Sequence, residues 1–143
     1  MYKITELQKS DYDCGFLQLL EQLTIVDADK ITYNDFINHY NQIQSKVFVI
    51  KEQNKVIATC SVFIEYKFIH QLGSIAHIED VVVDLNYRKK GLGKMLIEHC
   101  LAYIKLKGCY KVILNCEQKN VKFYEKCGFH SKNVEMSLYI NQS

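Results

Sequence analysis

The spacing of apolar residues in the first third of the chain predicts one short strand followed by two helices. Residues 2–7 read as the strand, and Ser10–Asp13 carries the polar residues of a helix start. Thr32 with Asp35 repeats that start, which predicts a second helix near residues 33–44. The first helix is predicted from apolar residues at helical spacing, which are Phe16, Leu19, Leu20 and Leu23.

The middle of the chain reads as three strands. Residues 46–52 and 55–66 lie on either side of a Gln53–Asn54 turn, which predicts a hairpin. Residues 74–84 are β-branched and rich in apolar side chains, a pattern typical of a central strand.

A basic, glycine-bearing turn at residues 87–93 opens the clearest helix of the sequence. One face of this helix is predicted to be apolar and to pack on the sheet, and Gly108 is its natural stop. The residues of that face are Leu92, Met95, Leu96, His99, Tyr103 and Leu106.

Three more elements are predicted after Gly108. Residues 110–116 read as a strand, and a short helix runs from Asn120 to Cys127–Gly128. A half-buried last strand is predicted where apolar and polar residues alternate, at Val134, Met136, Leu138 and Ile140. The order β-α-α-β-β-β-α-β-α-β predicts an α/β (α+β) fold, with one mixed sheet flanked by helices in a single domain over residues 1–143.

Composition and charge argue against several classes of function. The chain has 143 residues, 48% of them hydrophobic and 24% charged, which is ordinary for a globular protein with a core. The net charge of +2 and the scattered basic residues give no general reason to expect nucleic acid or a membrane as partner. The first residues lack the apolar run of a secretory signal, and no apolar run approaches the roughly 20 residues of a membrane span.

The cysteines form neither a metal-binding nor a disulfide pattern. None belongs to a CxxC pair and no nearby histidine completes a zinc spacing, so no metal site is expected. Without a secretion signal, reduced thiols in a cytoplasmic protein are expected, and a catalytic cysteine is disfavoured because no cysteine–histidine constellation is evident. The six cysteines are Cys14, Cys60, Cys100, Cys109, Cys116 and Cys127.

The strongest chemical signal is the turn Arg88-x-x-Gly91-x-Gly93 between a buried strand and a helix. Glycines let the backbone approach a ligand, and the N–H groups at a helix start favour an anion such as a pyrophosphate. An ordinary turn with a solvated basic face is the alternative interpretation. The motif is neither a P-loop nor the dinucleotide fingerprint. The basic residues around the turn are Arg88, Lys89, Lys90 and Lys94.

The segment Arg88–Gly93, RKKGLG, resembles the coenzyme A pyrophosphate motif of the GNAT acetyltransferase superfamily. Three neighbouring segments extend the resemblance: HIEDVVV at residues 77–83, GCYK at residues 108–111 and KNVKFYEKCGF at residues 119–129. Together they resemble the branch of that superfamily that acetylates glucosamine 6-phosphate. The resemblance is dense from about residue 56 onward and weaker in the first 50 residues.

The resemblance implies acetyl-CoA as co-substrate and assigns a set of residues to its binding. The backbone N–H of Val81 would donate to the thioester oxygen, and Val83 would pair with the pantetheine arm. Asn120 matches a position beside the coenzyme and is equally a good helix N-cap. The full set is Val81, Val82, Val83, Arg88, Lys89, Lys90, Gly91, Leu92, Gly93, Lys94, Asn120 and Tyr124.

Tyr124 has a structural and a catalytic interpretation. It lies among the apolar residues of the predicted helix 120–127, where a tyrosine is ordinarily part of the core. By resemblance, its hydroxyl lies beside the coenzyme sulfur and can donate a proton or a hydrogen bond to the departing thiolate. Its neighbour Phe123 is assigned to the core.

Glu79 and Asp80 interrupt an otherwise apolar strand. In a regular strand they would point to opposite faces, so that at least one would face the interior, which is costly without a partner. A β-bulge or a ligand is therefore expected here, and a salt-bridged structural pair is the alternative. The resemblance implies that both residues bind the amino sugar near its amine.

The resemblance also implies substrate contacts outside these motifs. Lys67 and His70, in what composition alone leaves as an ordinary loop, would supply cations to the sugar phosphate, and Thr24 is a weaker match. Asn115 stands where an aspartate is expected in better-known members. An asparagine cannot act as a general base, so either no base is essential there or the backbone carbonyl, which both residues keep, makes the contact.

By resemblance, the chain is an acetyltransferase in which a neutral amine attacks the thioester directly, without a metal. The product would be N-acetylglucosamine 6-phosphate, a step toward UDP-N-acetylglucosamine. The working unit would be a homodimer in which the C-terminal strand and the GCYK region help to build the partner's sugar site. Two alternatives stay open: a GNAT enzyme for another amine, such as a protein N-terminus or a polyamine, and a coenzyme A-binding module without turnover.

Overall fold

A mixed sheet forms the centre of the computed structural model, which describes residues 1–141. The five strands lie in chain order across the sheet; the first four are antiparallel and the last pair is parallel. The strands are β1 (Ile4–Glu6), β2 (Lys46–Glu52), β3 (Lys55–Tyr66), β4 (Ser74–Val83) and β5 (Lys111–Ile113). The predicted mixed sheet and its central hairpin are confirmed.

Helices cover both faces of this sheet. They are α1 (Phe16–Leu20), α2 (Tyr33–Tyr40), α3 (Ile69–Leu72, a single turn in which His70 and Gln71 have positive φ), α4 (Leu92–Leu106) and α5 (Val121–Lys126). The first predicted helix is interrupted, because Lys9–Cys14 forms a 3-10 turn and α1 begins only after Gly15. No helix among the described residues has the length and apolar character that a membrane span requires.

The helix α4 packs on one face of the sheet through a stripe of fully buried side chains. Ile97, Cys100 and Ile104 complete the stripe that Leu92 and Leu96 begin. Full burial of an aliphatic side chain contributes about 1.5–3 kcal/mol, so this stripe fixes α4 firmly against β3 and β4.

The buried stripe of α4 is rotated by about one position from the face that the sequence predicts. His99 is exposed and Leu106 is 88% exposed, whereas Met95 and Tyr103 lie at the border of the contact. The prediction is therefore wrong for Leu106, whereas the exposed His99 still packs edge-on against Phe48 of β2, with ring centroids 4.6 Å apart. Apolar residues occur on more than half of this helix's circumference, and only the direction of the sheet decides which of them are buried.

The helices α1 and α2 pack on the opposite face. The predicted start of α2 is confirmed by a reciprocal capping box, in which the Asp35 N–H donates to Thr32 Oγ1 at 3.1 Å and the Thr32 N–H donates to Asp35 Oδ2 at 2.9 Å. The fully buried Asp11 carboxylate pairs with Lys51 Nζ at 2.8 Å, which ties the first 3-10 turn to β2.

The predicted last strand is wrong for the structure of one chain. Residues 134–140 form no strand. The apolar side chains of this segment, Val134, Met136, Leu138 and Ile140, are each more than four-fifths exposed. An alternating pattern becomes a stable strand only beside a partner strand and under a covering layer, and the described chain supplies neither to this segment.

Candidate active site

The strands β4 and β5 separate and leave one edge of β4 open. They pair only where Ile75–His77 faces Lys111–Ile113, so the rest of β4 has no neighbour on that side within residues 1–141. A cleft of about 730 Å³ lies beside β5, lined among others by Asn115, Tyr124 and Glu135. An open strand edge presents backbone N–H and C=O groups, which an extended ligand can use as a neighbouring strand would.

A β-bulge lies near the middle of β4. One residue of β3, Cys60, faces two residues of β4, Asp80 and Val81, and Asp80 has a φ of +53°. The bulge expected from the Glu79–Asp80 pair is therefore present. It breaks the alternation of the strand, so that both carboxylates keep exposure to solvent instead of one facing the core.

The bulge places two carboxylates, those of Glu79 and Asp80, next to each other at the open edge of β4. Partial burial is the largest cause that raises the pKa of Glu79; the charges of Asp80 and Glu135 add to it, and His77 opposes them. Within residues 1–141 neither bulge carboxylate forms an ion pair, so the salt-bridged alternative does not describe this pair. Such a site suits a ligand that brings hydrogen-bond donors or a positive charge.

A buried aspartate fixes the chain as it leaves β4. Asp84 accepts a hydrogen bond from the Asn86 N–H at 2.9 Å and pairs with Lys55 Nζ at 3.3 Å, and the Asn86 bond is the main cause that lowers its pKa. Gln22 Oε1 accepts from the Leu85 N–H at 2.8 Å. Sequence reasoning missed Asp84, although an aspartate two residues before Asn86 at a strand end is a recognisable Asx-turn pattern.

The glycine turn has the geometry of an anion site. Gly91 is the N-cap of α4, with a φ of +81° and no side-chain cap, so the first N–H groups of the helix lack intrahelical partners. A Cβ on Gly91 would meet no atom within 4 Å, whereas one on Gly93 would lie 3.2 Å from Phe123 Cζ. Gly91 is therefore needed for its conformation, and Gly93 for the close approach of α5.

The structure limits how several predicted coenzyme residues can act. Arg88 Nε donates to the Val83 carbonyl at 3.0 Å, which holds this side chain over the end of β4. The side chains of Val82 and Leu92 are buried, so only their backbone groups can reach a ligand. Lys89, Lys90 and Lys94 are exposed around the turn.

Tyr124 packs among aromatic rings and also lines the cleft. Its ring packs edge-on against Phe123 and Phe129, with centroid distances of 4.9 and 6.0 Å, while the residue also lines the cleft. Burial is the main cause that raises the pKa of Tyr124 to about 12, and the nearby thiols Cys116 and Cys127 add to it. The hydroxyl is therefore protonated at neutral pH and can act as a donor.

The two asparagines predicted as site residues differ in their position relative to the cleft. Asn115 follows β5, is exposed and lines the cleft together with Tyr124. Asn120 occupies the N-cap position of α5 without a capping side-chain hydrogen bond, so the N-cap interpretation of its side chain is wrong. Its exposed amide remains available to a ligand.

The side chains predicted to bind the phosphate have different neighbours within the chain. Lys67 Nζ lies 3.6 Å from Glu65 Oε2, whereas the His70 ring stacks on Tyr110 at 4.2 Å. Ser74 marks the start of β4. It is five residues from Glu79, so about 17 Å of strand separates that end of β4 from the acidic bulge. Thr24 is exposed beyond the end of α1.

Comparison with known proteins identifies the class. The acetyltransferase (GNAT) family matches residues 2–129, and the chain belongs to this family. It is 45% identical over 141 residues to glucosamine 6-phosphate N-acetyltransferase 1 of Dictyostelium discoideum, covering 94% of this chain and 88% of that protein. It is 43% identical over 147 residues to glucosamine 6-phosphate N-acetyltransferase of Arabidopsis thaliana, covering 98% and 97%.

The fold agrees with these relatives. The crystal structure of glucosamine-6-phosphate N-acetyltransferase from Arabidopsis thaliana superimposes with a TM-score of 0.94 at 42% identity, over 99% of both chains. A metagenomic aminoglycoside acetyltransferase in complex with sisomicin superimposes with a TM-score of 0.75 at 21% identity, over 99% of this chain and 97% of that chain, and shows the shared fold alone. The resemblance inferred from the sequence motifs is confirmed.

Proposed function

We propose that the protein transfers the acetyl group of acetyl-CoA to the amine of glucosamine 6-phosphate, giving N-acetylglucosamine 6-phosphate and coenzyme A. The single observation that carries the proposal is the continuous arrangement of the open β4 edge, the acidic bulge and the glycine turn. Relatives with this activity in their names match almost the whole chain, which favours this amine over others. The product would serve the synthesis of UDP-N-acetylglucosamine.

The residues at the open edge fit the coenzyme. The free N–H groups at the start of α4 suit a pyrophosphate, and Lys89, Lys90 and Lys94 add positive charge beside them. The unpaired edge of β4 suits an amide-containing arm, through backbone groups of Val81 and Val83. Acetyl-CoA supplies the acetyl group as a thioester. This proposal involves no metal.

Different groups of the chain have different roles in the proposed acetyl transfer. Glu79 and Asp80 accept hydrogen bonds from the sugar amine and hold it at the bulge. The Val81 N–H stabilises the negative charge that develops on the carbonyl oxygen, and the protonated Tyr124 hydroxyl donates to the departing sulfur. The amine of a 2-amino sugar is less basic than a lysine, so an asparagine at position 115 is compatible with turnover.

Exposed apolar residues support a homodimer as the working unit. The C-terminal segment and the α3 turn carry large apolar side chains that face solvent in one chain, and extensive exposed apolar surface marks an interaction site. They are Phe68, Ile69, Leu72, Val134, Met136, Leu138, Tyr139 and Ile140. In this dimer the partner would complete the sugar site around Lys67 and His70. A single GNAT domain over all 143 residues and a cytoplasmic location stay predictions from the sequence.

A thiol-release assay tests the proposal and its alternatives together. Purified protein is mixed with acetyl-CoA and, in turn, glucosamine 6-phosphate, glucosamine, a polyamine and a peptide with a free N-terminus. Release that is most efficient with glucosamine 6-phosphate is expected. Release that is greatest with the polyamine or the peptide would favour another GNAT substrate, and no release with any amine would favour a coenzyme-binding module.

A further inference from the structure

Three side chains on one face of β3 and β4, and a lysine directly after β3, form a row of acidic and basic groups, which we call the charged row. Its members are Lys67, Glu65, His77 and Glu79. Glu65 binds both basic neighbours, with Oε2 at 3.6 Å from Lys67 Nζ and Oε1 at 3.0 Å from His77 Nε2. His77 and Glu79 are two residues apart in a regular part of β4, so their side chains project from the same face.

The bond to Glu65 fixes the imidazole of His77 in place. Glu65 and His77 come from neighbouring antiparallel strands, and the ring of Phe63, which pairs with His77 across the strands, lies 6.0 Å away. The His77 bond is the largest cause that lowers the pKa of Glu65, so Glu65 is an ionised anchor. A side chain held from both sides presents its charge at a defined position.

Neighbouring groups determine how easily the Glu79 carboxyl ionises. Asp80 on the same strand and Glu135 on the C-terminal segment are negative and oppose ionisation of Glu79, whereas His77 favours it. The interaction with His77 therefore counteracts the acidic crowding at the bulge.

We propose that His77, held by Glu65 on the same strand face as Glu79, is a positioning residue that stabilises the charge of the Glu79 carboxylate where the substrate amine binds. The inference rests on the proposed role of Glu79 at the amine. It assigns to the charged row a function that the motifs around Glu79 do not reveal, because His77 acts through another side chain rather than on the substrate.

The pH dependence of kcat/KM for glucosamine 6-phosphate, calculated per neutral substrate amine so that protonation of the sugar itself is removed, tests the inference with two substitutions of opposite character. His77→Gln removes the cation, so the acidic limb of the profile is expected to move to higher pH. A displacement of one pH unit lowers kcat/KM about tenfold on that limb. His77→Arg keeps a cation that can bind Glu65 with its forked guanidinium, and it is expected to restore the wild-type limb.

Two controls separate this role from a structural one. The KM for acetyl-CoA and the melting temperature are measured for every variant, and both are expected to stay near wild type. His39→Gln, on the exposed surface of α2 and outside the charged row, is the matched control and leaves the profile unchanged. If His77→Gln does not fold, His77→Thr, a residue suited to a strand, provides a second neutral variant.

A double-mutant cycle with Glu79→Gln shows whether His77 acts through Glu79. The effect of His77→Gln is expected to disappear when Glu79 carries no charge. A wild-type acidic limb in the neutral variants, an equal displacement in His77→Arg, or an undiminished effect in the Glu79→Gln background would each overturn the inference. An unimpaired Glu79→Gln single variant would instead refute the proposed role of Glu79 at the amine.

Discussion

At the scale of single residues, the burial of Tyr124 determines what its hydroxyl can do. A tyrosine whose pKa is raised to about 12 stays protonated through the working range of an enzyme. The protonated form is the active form of a donor, and it is lost only as the pH rises through that value. If kcat falls as the pH rises toward about 10, the titration of a group other than Tyr124 is therefore the cause.

Tyr124→Phe is expected to lower kcat, because only the hydroxyl is lost while the ring contacts with Phe123 and Phe129 remain. A general acid contributes roughly 100- to 10,000-fold. Steady-state kinetics and calorimetric binding of acetyl-CoA are the measurements, and binding should stay near wild type. Tyr33→Phe, at an exposed tyrosine of α2, is the matched control. Unchanged kcat under conditions where the chemical step limits the rate would show that Tyr124 has only a structural role.

Asn115 permits a test of whether its side chain contributes to catalysis. The residue lies beyond the end of β5 on the cleft, where its backbone carbonyl is present whatever the side chain. Asn115→Ala is expected to keep most of the activity, and Asn115→Asp to be tolerated or modestly faster. Abolished turnover in a folded Asn115→Ala variant would show that the amide side chain is required.

Lys67 is expected to set the preference for a phosphorylated sugar. A charge-assisted contact contributes about 1.5–3 kcal/mol, or roughly ten- to a hundredfold in kcat/KM. Lys67→Ala should therefore narrow the gap between glucosamine 6-phosphate and glucosamine, measured as the ratio of their kcat/KM values. Lys46→Ala, which removes a lysine paired with Glu6 at the start of β2, is the control. Equal efficiency for both sugars in the wild type would refute the phosphate site.

At the scale of elements, the two ends of α4 provide a matched pair of glycines. Gly91 and Gly108 have φ values of +81° and +76°, and a Cβ at either position meets no atom within 4 Å. Alanine therefore causes a similar conformational strain at each, about 1–2 kcal/mol. Only Gly91 lies at the N-terminal end, where the pyrophosphate is proposed to bind.

Gly91→Ala is expected to raise the KM for acetyl-CoA far more than the KM for the sugar, and Gly91→Val should do so more strongly. Gly108→Ala should lower the melting temperature by a comparable amount without changing either KM. Equal increases in both KM values for Gly91→Ala, with the fold intact, would contradict coenzyme binding at this turn. Gly93 is a poorer test, because a side chain there also presses on Phe123.

The sequence predicts elements whose pattern is local and misses those that depend on a partner. The strand, turn and helix around Gly91 carry their signals within twenty residues, and the structure contains all three. The bulge at Glu79 was also predictable, because two adjacent carboxylates cannot continue an apolar strand. The contact between Glu65 and His77 was not, since it depends on the register of β3 against β4.

At the scale of the whole molecule, residues 134–140 have neither a partner strand nor a covering layer within the described chain. Their alternating pattern is that of a strand, and yet the apolar side chains Val134, Met136, Leu138 and Ile140 remain exposed. Burying one such side chain contributes about 1.5–3 kcal/mol, which favours any surface that covers them. A second copy of the chain carries the same exposed apolar residues, and two such segments can cover one another symmetrically.

The triple substitution of Met136, Leu138 and Ile140 by serine is expected to convert a dimer into a monomer, because it removes most of the apolar surface proposed to hold the copies together. Light scattering at several protein concentrations measures the change, and Leu106→Ser, at an exposed leucine of α4, is the control that should stay dimeric. The KM for the sugar should rise more than that for acetyl-CoA, since the proposed coenzyme edge of β4 belongs to one chain while the sugar site is proposed to need both. A monomeric wild type with full activity would contradict the shared site, and a dimeric triple variant would place the interface elsewhere.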